Sequence, residues 1–437
     1  MKKDIVAVVL AAGNGKRFWP FTGDKNLWPV LGKTYFDFTI AETMPKEVSE
    51  VILVANAKNQ KQLAATKLGV PHSVIVQKEG DGMADAIMAA KDRIRGKQIL
   101  VVIADDLSDK NIFRSVLARA DKGHFGVMTV YHTHRHLAGG YIKFQGERPI
   151  GIVEKPPLGK EPSEFAYFGG QYIQDADALL DAFSSVKTDC DDVYEYALTA
   201  LMQSHDFVVL PQEEPYVSLK YPWHVLDVTD YTLHNRLIPG QGKHVEIHNN
   251  VVIEGSVYLG NNVRIFENTK IVGPVYIGDN TIVGNNNMIR ESYIGQDCVT
   301  GFNTDITRSY IGNECWFHSN YVGDSVLEGN ISMGSGSVLA NLRLDEGEIS
   351  SVVRGEKFNT GRTKLGSMIG AHVRIGVNVS IMPGVKVGSG TMIGAGVVLD
   401  KDVPEDSFCV AKSGYEVKKN TMPVAPPTGR ADYRSKL

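Results

Sequence analysis

Aliphatic side chains recur every six residues over the second half of the chain. They stand at Ile253, Leu259, Ile265, Ile271, Ile277, Val283 and Ile289, and again at Ile369, Ile375, Ile381, Val387, Ile393 and Leu399. Many are followed by glycine or asparagine turns such as "LGNN", "IGDN" and "IGAG". The period predicts a β-solenoid in which each coil has three short flat strands and turns one aliphatic inward per side. Each buried aliphatic contributes roughly 1.5–3 kcal/mol, yet one coil cannot cover its own apolar side. Stacking supplies the cover. Between the two runs the period is disturbed, and residues 341–366 form a charged insertion of the kind that projects from one face of a solenoid.

Residues 1–236 are patterned differently. "IVAVVL", "VILVAN", "HSVIVQ" and "ILVVIADD" read as buried strands, separated by helical stretches such as "YFDFTIAETM" and "MADAIMAAKDRI". That alternation predicts a mostly parallel sheet covered on both faces, with ligands outside the carboxyl ends of its strands. A "PGQG" break separates the two patterns. The reading is therefore three segments: a domain over 1–236, a solenoid over 245–410 and a tail over 411–437 with little fixed structure.

Composition narrows the partners. A net charge of −4 gives no reason to expect nucleic acid. The four cysteines, Cys190, Cys298, Cys315 and Cys409, lack metal-site spacing and point to free thiols in a reducing compartment. The opening "MKKDIVAVVLAAG" mimics a signal peptide, but Asp4 and the following "GNGKR" suit a first buried strand better. No later segment approaches the roughly 20 apolar residues of a membrane span, so the expectation is a cytoplasmic protein without a membrane partner.

The first chemical constellation is "VVLAAGNGKRFWPFTGDKNLWPV", a strand, a glycine turn and two cations. Glycines at 13 and 15 let the backbone close on a phosphate, and Arg17 and Lys25 can neutralise it. The stretch resembles the signature of the sugar-1-phosphate nucleotidyltransferases, which implies a Rossmann-like α/β domain with a mixed sheet. It implies a nucleotide-binding turn over Leu10, Ala11, Ala12, Gly13 and Gly15, with Arg17 and Lys25 catalytic. "QKEGDGMADAI" resembles the family's base-reading segment, which places base contacts on Gln77 and Gly82. "VVIADD" resembles the strand that ends in a magnesium-binding aspartate, here Asp105. "GGYIKF…GIVEKP" resembles the sugar-site segment and implicates Gly140, Glu154 and Lys155. Three departures stand out: a shortened segment from Thr22 to Lys25, Met83 where a small hydroxyl residue is usual, and Ser218 at the place of a second metal-binding aspartate.

The solenoid resembles the carboxyl-terminal half of archaeal-type, two-domain N-acetylglucosamine-1-phosphate uridyltransferases. "FHSNYVGDSV…GSGSVLANLR…TGRTKLGSMIGAHVRIGVNVSIMPGVKVGSG" carries the likeness. It implies a left-handed parallel β-helix, a homotrimer and acetyl-CoA as co-substrate. It makes His318 the base that deprotonates an amino sugar, a role histidine suits because its pKa lies near neutral. Tyr321, Arg290, Asn341 and Lys364 are implied substrate contacts, whereas Thr307 stands where a second lysine is usual. The bland alternative is that His318 packs against Trp316 and Phe317 as a spacer.

Together these resemblances imply a bifunctional enzyme. It would use Mg²⁺ to make a UDP- or dTDP-sugar, UDP-N-acetylhexosamine foremost, from a nucleoside triphosphate and a sugar 1-phosphate. The solenoid would acetylate an amino-sugar 1-phosphate. The departures leave two other readings open: only one active half, or a non-catalytic nucleotide-sugar-binding regulatory or scaffold subunit.

Overall fold

The computed structural model describes residues 4–78, 82–133, 136–137, 139–188, 190–212, 217–411, 418–419 and 421. Apart from these last few positions, the expected carboxyl-terminal tail lies outside the described residues.

The first half is built on nine strands: β1 Ile5–Ala11, β2 Glu50–Ala55, β3 His72–Val76, β4 Gln98–Ile103, β5 Gly126–His132, β6 Gly140–Gln145, β7 Arg148–Glu154, β8 Phe165–Ile173 and β9 Phe207–Gln212. β1 pairs in parallel with β2 and β4, and β2 with β3. β8 runs antiparallel to β4, β5 and β6. The sheet is thus mixed, and the parallel half that the apolar runs suggest is only one side of it. Helices cover both faces, the longest being α1 Met83–Ala89, α2 Ile112–Ala120, α3 Ala176–Ser185 and α4 Val193–Ser204. β1 shows why its sequence is continuously apolar. Val6 and Val8 pack with α1, α3 and α4, while Ala7, Val9 and Ala11 pack with α2 on the other face. A strand buried on both sides has no position for an alternating polar residue.

α5, His224–Asn235, closes this half, and the β-helix follows. It is a left-handed parallel β-helix of three faces. Two of them have eight strands each, and all pair in parallel with the coil above and below. The aliphatics with the six-residue period line its core from Leu259 to Ile393, joined by Phe317, Cys298 and Cys315, whereas Ile253 on the first coil is exposed and Leu399 only partly buried. Corner positions adopt left-handed backbone angles, and asparagine occupies many of them (φ +57° at Asn262, +58° at Asn280, +59° at Asn286). Asparagine tolerates this conformation better than other non-glycine residues and hydrogen-bonds its copy on the next coil, as Asn262 Nδ2 does to Asn280 Oδ1 at 2.9 Å. The charged insertion forms a hairpin, Ile349–Val353 with Glu356–Arg362.

The halves share one apolar core. Tyr258, Tyr276, Tyr293 and Tyr310 stack along one outer face of the coil, with ring centroids 5.1, 5.0 and 4.7 Å apart. Tyr310 then meets Trp28 of the first half at 5.3 Å and donates from its hydroxyl to the Pro29 carbonyl at 3.1 Å. The hairpin joins the same core, with Phe358 against Tyr221 and Arg362 ion-paired to Asp227 on α5. All four cysteines are free. Among the described residues no helix is long and apolar enough to cross a membrane.

Candidate active sites on both halves

The glycine turn sits at the carboxyl end of β1, and three asparagines shape it. Asn59 Nδ2 donates to Ala11 O at 2.9 Å, Asn26 Nδ2 reaches the same carbonyl at 3.4 Å, and Asn56 Nδ2 reaches Ala12 O at 3.4 Å. With its carbonyls drawn inward, the turn has N–H groups left to offer a phosphate. Gly15 takes φ +63°, which favours glycine. Leu10 and Ala12 are half-buried and Ala11 is buried, whereas Gly13 and Arg17 are exposed. The Arg17 guanidinium lies 5.6 Å from the centre of the Tyr221 ring.

Lys25 crosses back over the turn. A methyl group added at Gly13 would sit 3.8 Å from Lys25 Cε and 4.0 Å from Nζ, and the ammonium is ion-paired with Asp105. Burial alone would raise the Asp105 pKa, but the Lys25 and Lys220 ammoniums outweigh it and hold the carboxyl below its usual range. The next residue behaves oppositely. Asp106 is 4% exposed, accepts a hydrogen bond from Gly169 N at 2.9 Å, and is pushed up by burial and by Asp105 despite Lys220. Ser218 pairs with Asp106 across a two-stranded ladder, so its buried hydroxyl accompanies Asp106. Half-buried His224 donates from Nδ1 to the Ser218 carbonyl at 2.7 Å, and desolvation lowers its pKa to about 4, which keeps it neutral.

The residues expected at a sugar site meet along β6, β7 and β8. A methyl group at Gly140 would come within 2.3 Å of the Tyr167 ring and 2.9 Å of Glu154 Oε2, so this position has room only for glycine. Lys155 is ion-paired with Glu154 at 2.7 Å. Tyr167 donates its hydroxyl to Glu195 on α4. Burial raises the Glu195 pKa to about 7, opposed by the Tyr167 hydrogen bond and reinforced by Glu154. Gln77 is half-buried just past β3, and Gly82 starts α1 beside a cavity of about 410 Å³ that Cys190 and Asp191 also line. Part of the base-reading segment, residues 79–81, lies outside the described residues. Motif reading missed Lys220, Tyr167, Glu195 and the three asparagines. They come from several separate segments, and only their proximity in space to the motif residues singles them out.

On the β-helix, Phe317 turns into the core (0% exposed) and its neighbour Trp316 stays outside (53% exposed). His318 is exposed as well; its main chain is held by Asn320 Oδ1 and Thr304 Oγ1, at 2.9 and 3.1 Å. Its ring makes no hydrogen bond or ion pair among the described residues. Arg290, Thr307 and Gly323 follow one another on successive coils. Arg290 is paired with Asp305, both oxygens at 3.1 Å. Arg308 grips Asp324 through Nε and Nη2, both at 2.8 Å, and Asn341 donates to the same carboxylate. The Tyr321 hydroxyl and the Asn341 amide converge over bare Gly323, where an added methyl would come within 2.7 and 2.6 Å of them. Thr307 is buried and accepts from Arg308 Nη1 at 3.2 Å. Lys364 is exposed at the root of the insertion. The structure therefore gathers Tyr321, Asn341, Asp324 and Arg308 into one cluster and leaves the His318 ring open.

Known proteins match both halves. Residues 6–212 match the nucleotidyl transferase family model, and residues 256–291 and 366–401 match the six-repeat bacterial transferase hexapeptide model. A bifunctional sugar-1-phosphate nucleotidylyltransferase/acetyltransferase of Sulfurisphaera tokodaii is 28% identical over 85% of this chain and 91% of its own length. Two proteins called bifunctional protein GlmU match more of it. The one from Methanococcus vannielii is 29% identical over 94% of this chain and 99% of its own, and the one from Methanocaldococcus jannaschii 28% over 92% and 96%.

Proposed function

We propose that this chain, like the sugar-1-phosphate nucleotidyltransferases with a hexapeptide domain that it resembles, is catalytic in both of its halves. The first half joins a nucleoside triphosphate carrying uracil or thymine to a sugar 1-phosphate, N-acetylhexosamine 1-phosphate foremost. The observation that carries this reading is the ionised Asp105 paired with Lys25 against the glycine turn, at the carboxyl edge of the parallel strands.

In the reaction, an oxygen of the sugar phosphate bonds to the α-phosphorus. The bond from that phosphorus to the bridging oxygen breaks, and the electron pair leaves with pyrophosphate. Lys25 and Arg17 neutralise the charge that builds on the phosphates, and the N–H groups of residues 12–15 orient them. Glu154, with Gly140 beside it, holds sugar hydroxyls, and Gln77 and Gly82 flank the base.

The donor set fits Mg²⁺. No group of three carboxylate, histidine or cysteine side chains gathers among the described residues, but Mg²⁺ is commonly held by one or two carboxylates together with substrate phosphates and water. Asp105 is that carboxylate, and Mg²⁺ bound there would supply charge neutralisation at the phosphates. Ser218, turned toward Asp106, adds no second carboxylate.

On the β-helix, His318 takes a proton from the amine of an amino-sugar 1-phosphate as it attacks the acetyl carbon of acetyl-CoA; the carbon–sulfur bond breaks, and the departing thiolate takes the proton back from His318. Arg290, Tyr321, Asn341 and Lys364 hold the phosphorylated substrates. Trimer assembly, by analogy with other hexapeptide proteins, places a second coil against this open face, and the cytoplasm supplies all the substrates.

Pyrophosphate release, assayed with Mg²⁺, each nucleoside triphosphate and a panel of sugar 1-phosphates, tests the first activity. Release is expected with UTP or dTTP. Silence with every pair would favour the reading that Ser218 motivates, a subunit that binds nucleotide sugar without turnover.

A further inference from the structure

The segment that delivers Lys25, Thr22 to Lys25, is short, and the β-helix holds it. Glu328, on a coil corner just past the strand Val326–Leu327, extends its carboxylate into the first half. Oε1 accepts from Thr22 N at 2.9 Å, from Thr22 Oγ1 at 3.0 Å and from Gly23 N at 2.8 Å. Oε2 accepts from Ala371 N of the β-helix at 2.9 Å. All four contacts are charge-assisted, and two come from consecutive backbone N–H groups, the arrangement by which a turn binds an anion.

The grip transmits directly to the reacting groups. Fixing residues 22 and 23 leaves Asp24 to be set by Asn59 Nδ2 at 2.9 Å and by Asn26 N at 2.9 Å. Asn59 also holds the Ala11 carbonyl of the phosphate turn. Lys25 follows at once, against Gly13 and Asp105. Mere docking of the halves would need only apolar contact, and the shared core around Trp28 and Tyr310 already provides it. A carboxylate aimed at the two residues upstream of Asp24 and Lys25 sets a loop geometry instead.

We propose that Glu328 is a positioning residue for nucleotidyl transfer, so that the β-helix completes the site on the first half through the loop bearing Lys25. This rests on the nucleotidyl-transfer reading above. Its consequence is that the first activity depends on the second half even when acetyl transfer is not running.

The test uses the full chain, with pyrophosphate release and acetyl transfer measured on the same preparations. Glu328→Ala is expected to lower kcat for pyrophosphate release about ten-fold, because small misplacements of charge-neutralising groups are costly. The KM for the sugar phosphate should change less than about two-fold, as this substrate does not lean on the loop. Glu328→Gln retains an acceptor oxygen and should recover to within about three-fold of wild type. Acetyl transfer should stay at wild-type values in both, whatever the loss of these hydrogen bonds does to the melting temperature.

An unchanged kcat in Glu328→Ala overturns the proposal. So does a parallel loss of both activities with a lowered melting temperature, which marks Glu328 as merely structural. If Glu328→Ala does not fold, Glu328→Gln and Thr22→Val carry the test: a reduced kcat in either with normal acetyl transfer supports it, and wild-type kcat in both overturns it. Wild-type protein that releases no pyrophosphate would instead remove the parent reading, and this inference with it.

Discussion

The two candidate sites are built in opposite ways. The one on the first half is made of partly buried charge: Lys25 and Asp105 have side chains only 15% and 13% exposed, and Lys220 and Asp106 stand beside them. The one on the β-helix is an outer face, with an exposed His318 ring and Arg290 and Arg308 side chains 39% and 37% exposed. Low dielectric strengthens the first set of charges within a single chain. The second set gains comparable strength only when something covers it. A strand-edge site can thus be finished by local folding, whereas a solenoid face presents groups in register and waits for a neighbour or a ligand.

The largest effects should separate the two sites cleanly. Lys25→Met removes the ammonium and keeps the chain length. Pyrophosphate release should fall about 10³-fold, the scale for losing one preorganised charge stabiliser, while acetyl transfer holds. His318→Ala should do the reverse, lowering thiol release from acetyl-CoA about 10²-fold with pyrophosphate release intact. Equal acetyl transfer in wild type and His318→Ala would return this histidine to the role of an exposed spacer. A joint loss in either variant would show that the halves are less separate than their geometries suggest.

Next in size is a difference in pH response. Glu195 titrates near pH 7 in the folded chain, against roughly 4.3 for a free glutamate. Between those values the folded state binds the extra proton, so this residue's contribution is intact below about pH 4 and is lost as pH rises through 7. Glu195→Gln should therefore raise stability by about 1–3 kcal/mol at pH 8 and flatten its decline between pH 5 and 8, read from denaturant midpoints. An unchanged slope would mean that Glu195 is ionised throughout. His224 works with the opposite sign: its depressed folded pKa makes stability fall as pH drops from about 6.5 toward 4.

How much of this was legible follows from what repeats. The β-helix was readable because each side of a coil asks for the same inward aliphatic, and Leu259 and Ile277 on one face, Ile271 and Ile289 on another, answer in turn. The period then fails where the second site lies, because Ile289 pairs with Ile306 and Ile306 with Val322, steps of 17 and 16 rather than 18. Those contracted coils bring Thr307, Arg308 and Tyr321 into one patch. No period could announce the Arg308–Asp324 grip, which joins two unremarkable positions. In the first half, β1 and its glycine turn were readable from local pattern. The antiparallel β8 was not, since an apolar strand looks the same in either direction. Lys220 and Glu328 escaped because each acts on a group more than 100 residues away.

The smallest expected effect tests whether the two regions melt as one. Their shared core runs from Trp28 through Tyr310 to Met368, and Tyr310 adds one buried hydrogen bond across the boundary. Tyr310→Phe keeps the ring and its stacking on Tyr293 but leaves the Pro29 carbonyl without that donor, a cost of about 1 kcal/mol. If the halves unfold together, that loss should move a single calorimetric transition downward without splitting it. If they unfold separately, the half with the lower midpoint should move alone. A stacked aromatic ladder can dock two rigid bodies without coupling them, since stacking tolerates sliding. The hydroxyl bond cannot slide, and so a shift confined to one transition would mean that the β-helix reaches the first site through Glu328 and the inserted hairpin rather than through the tyrosine face.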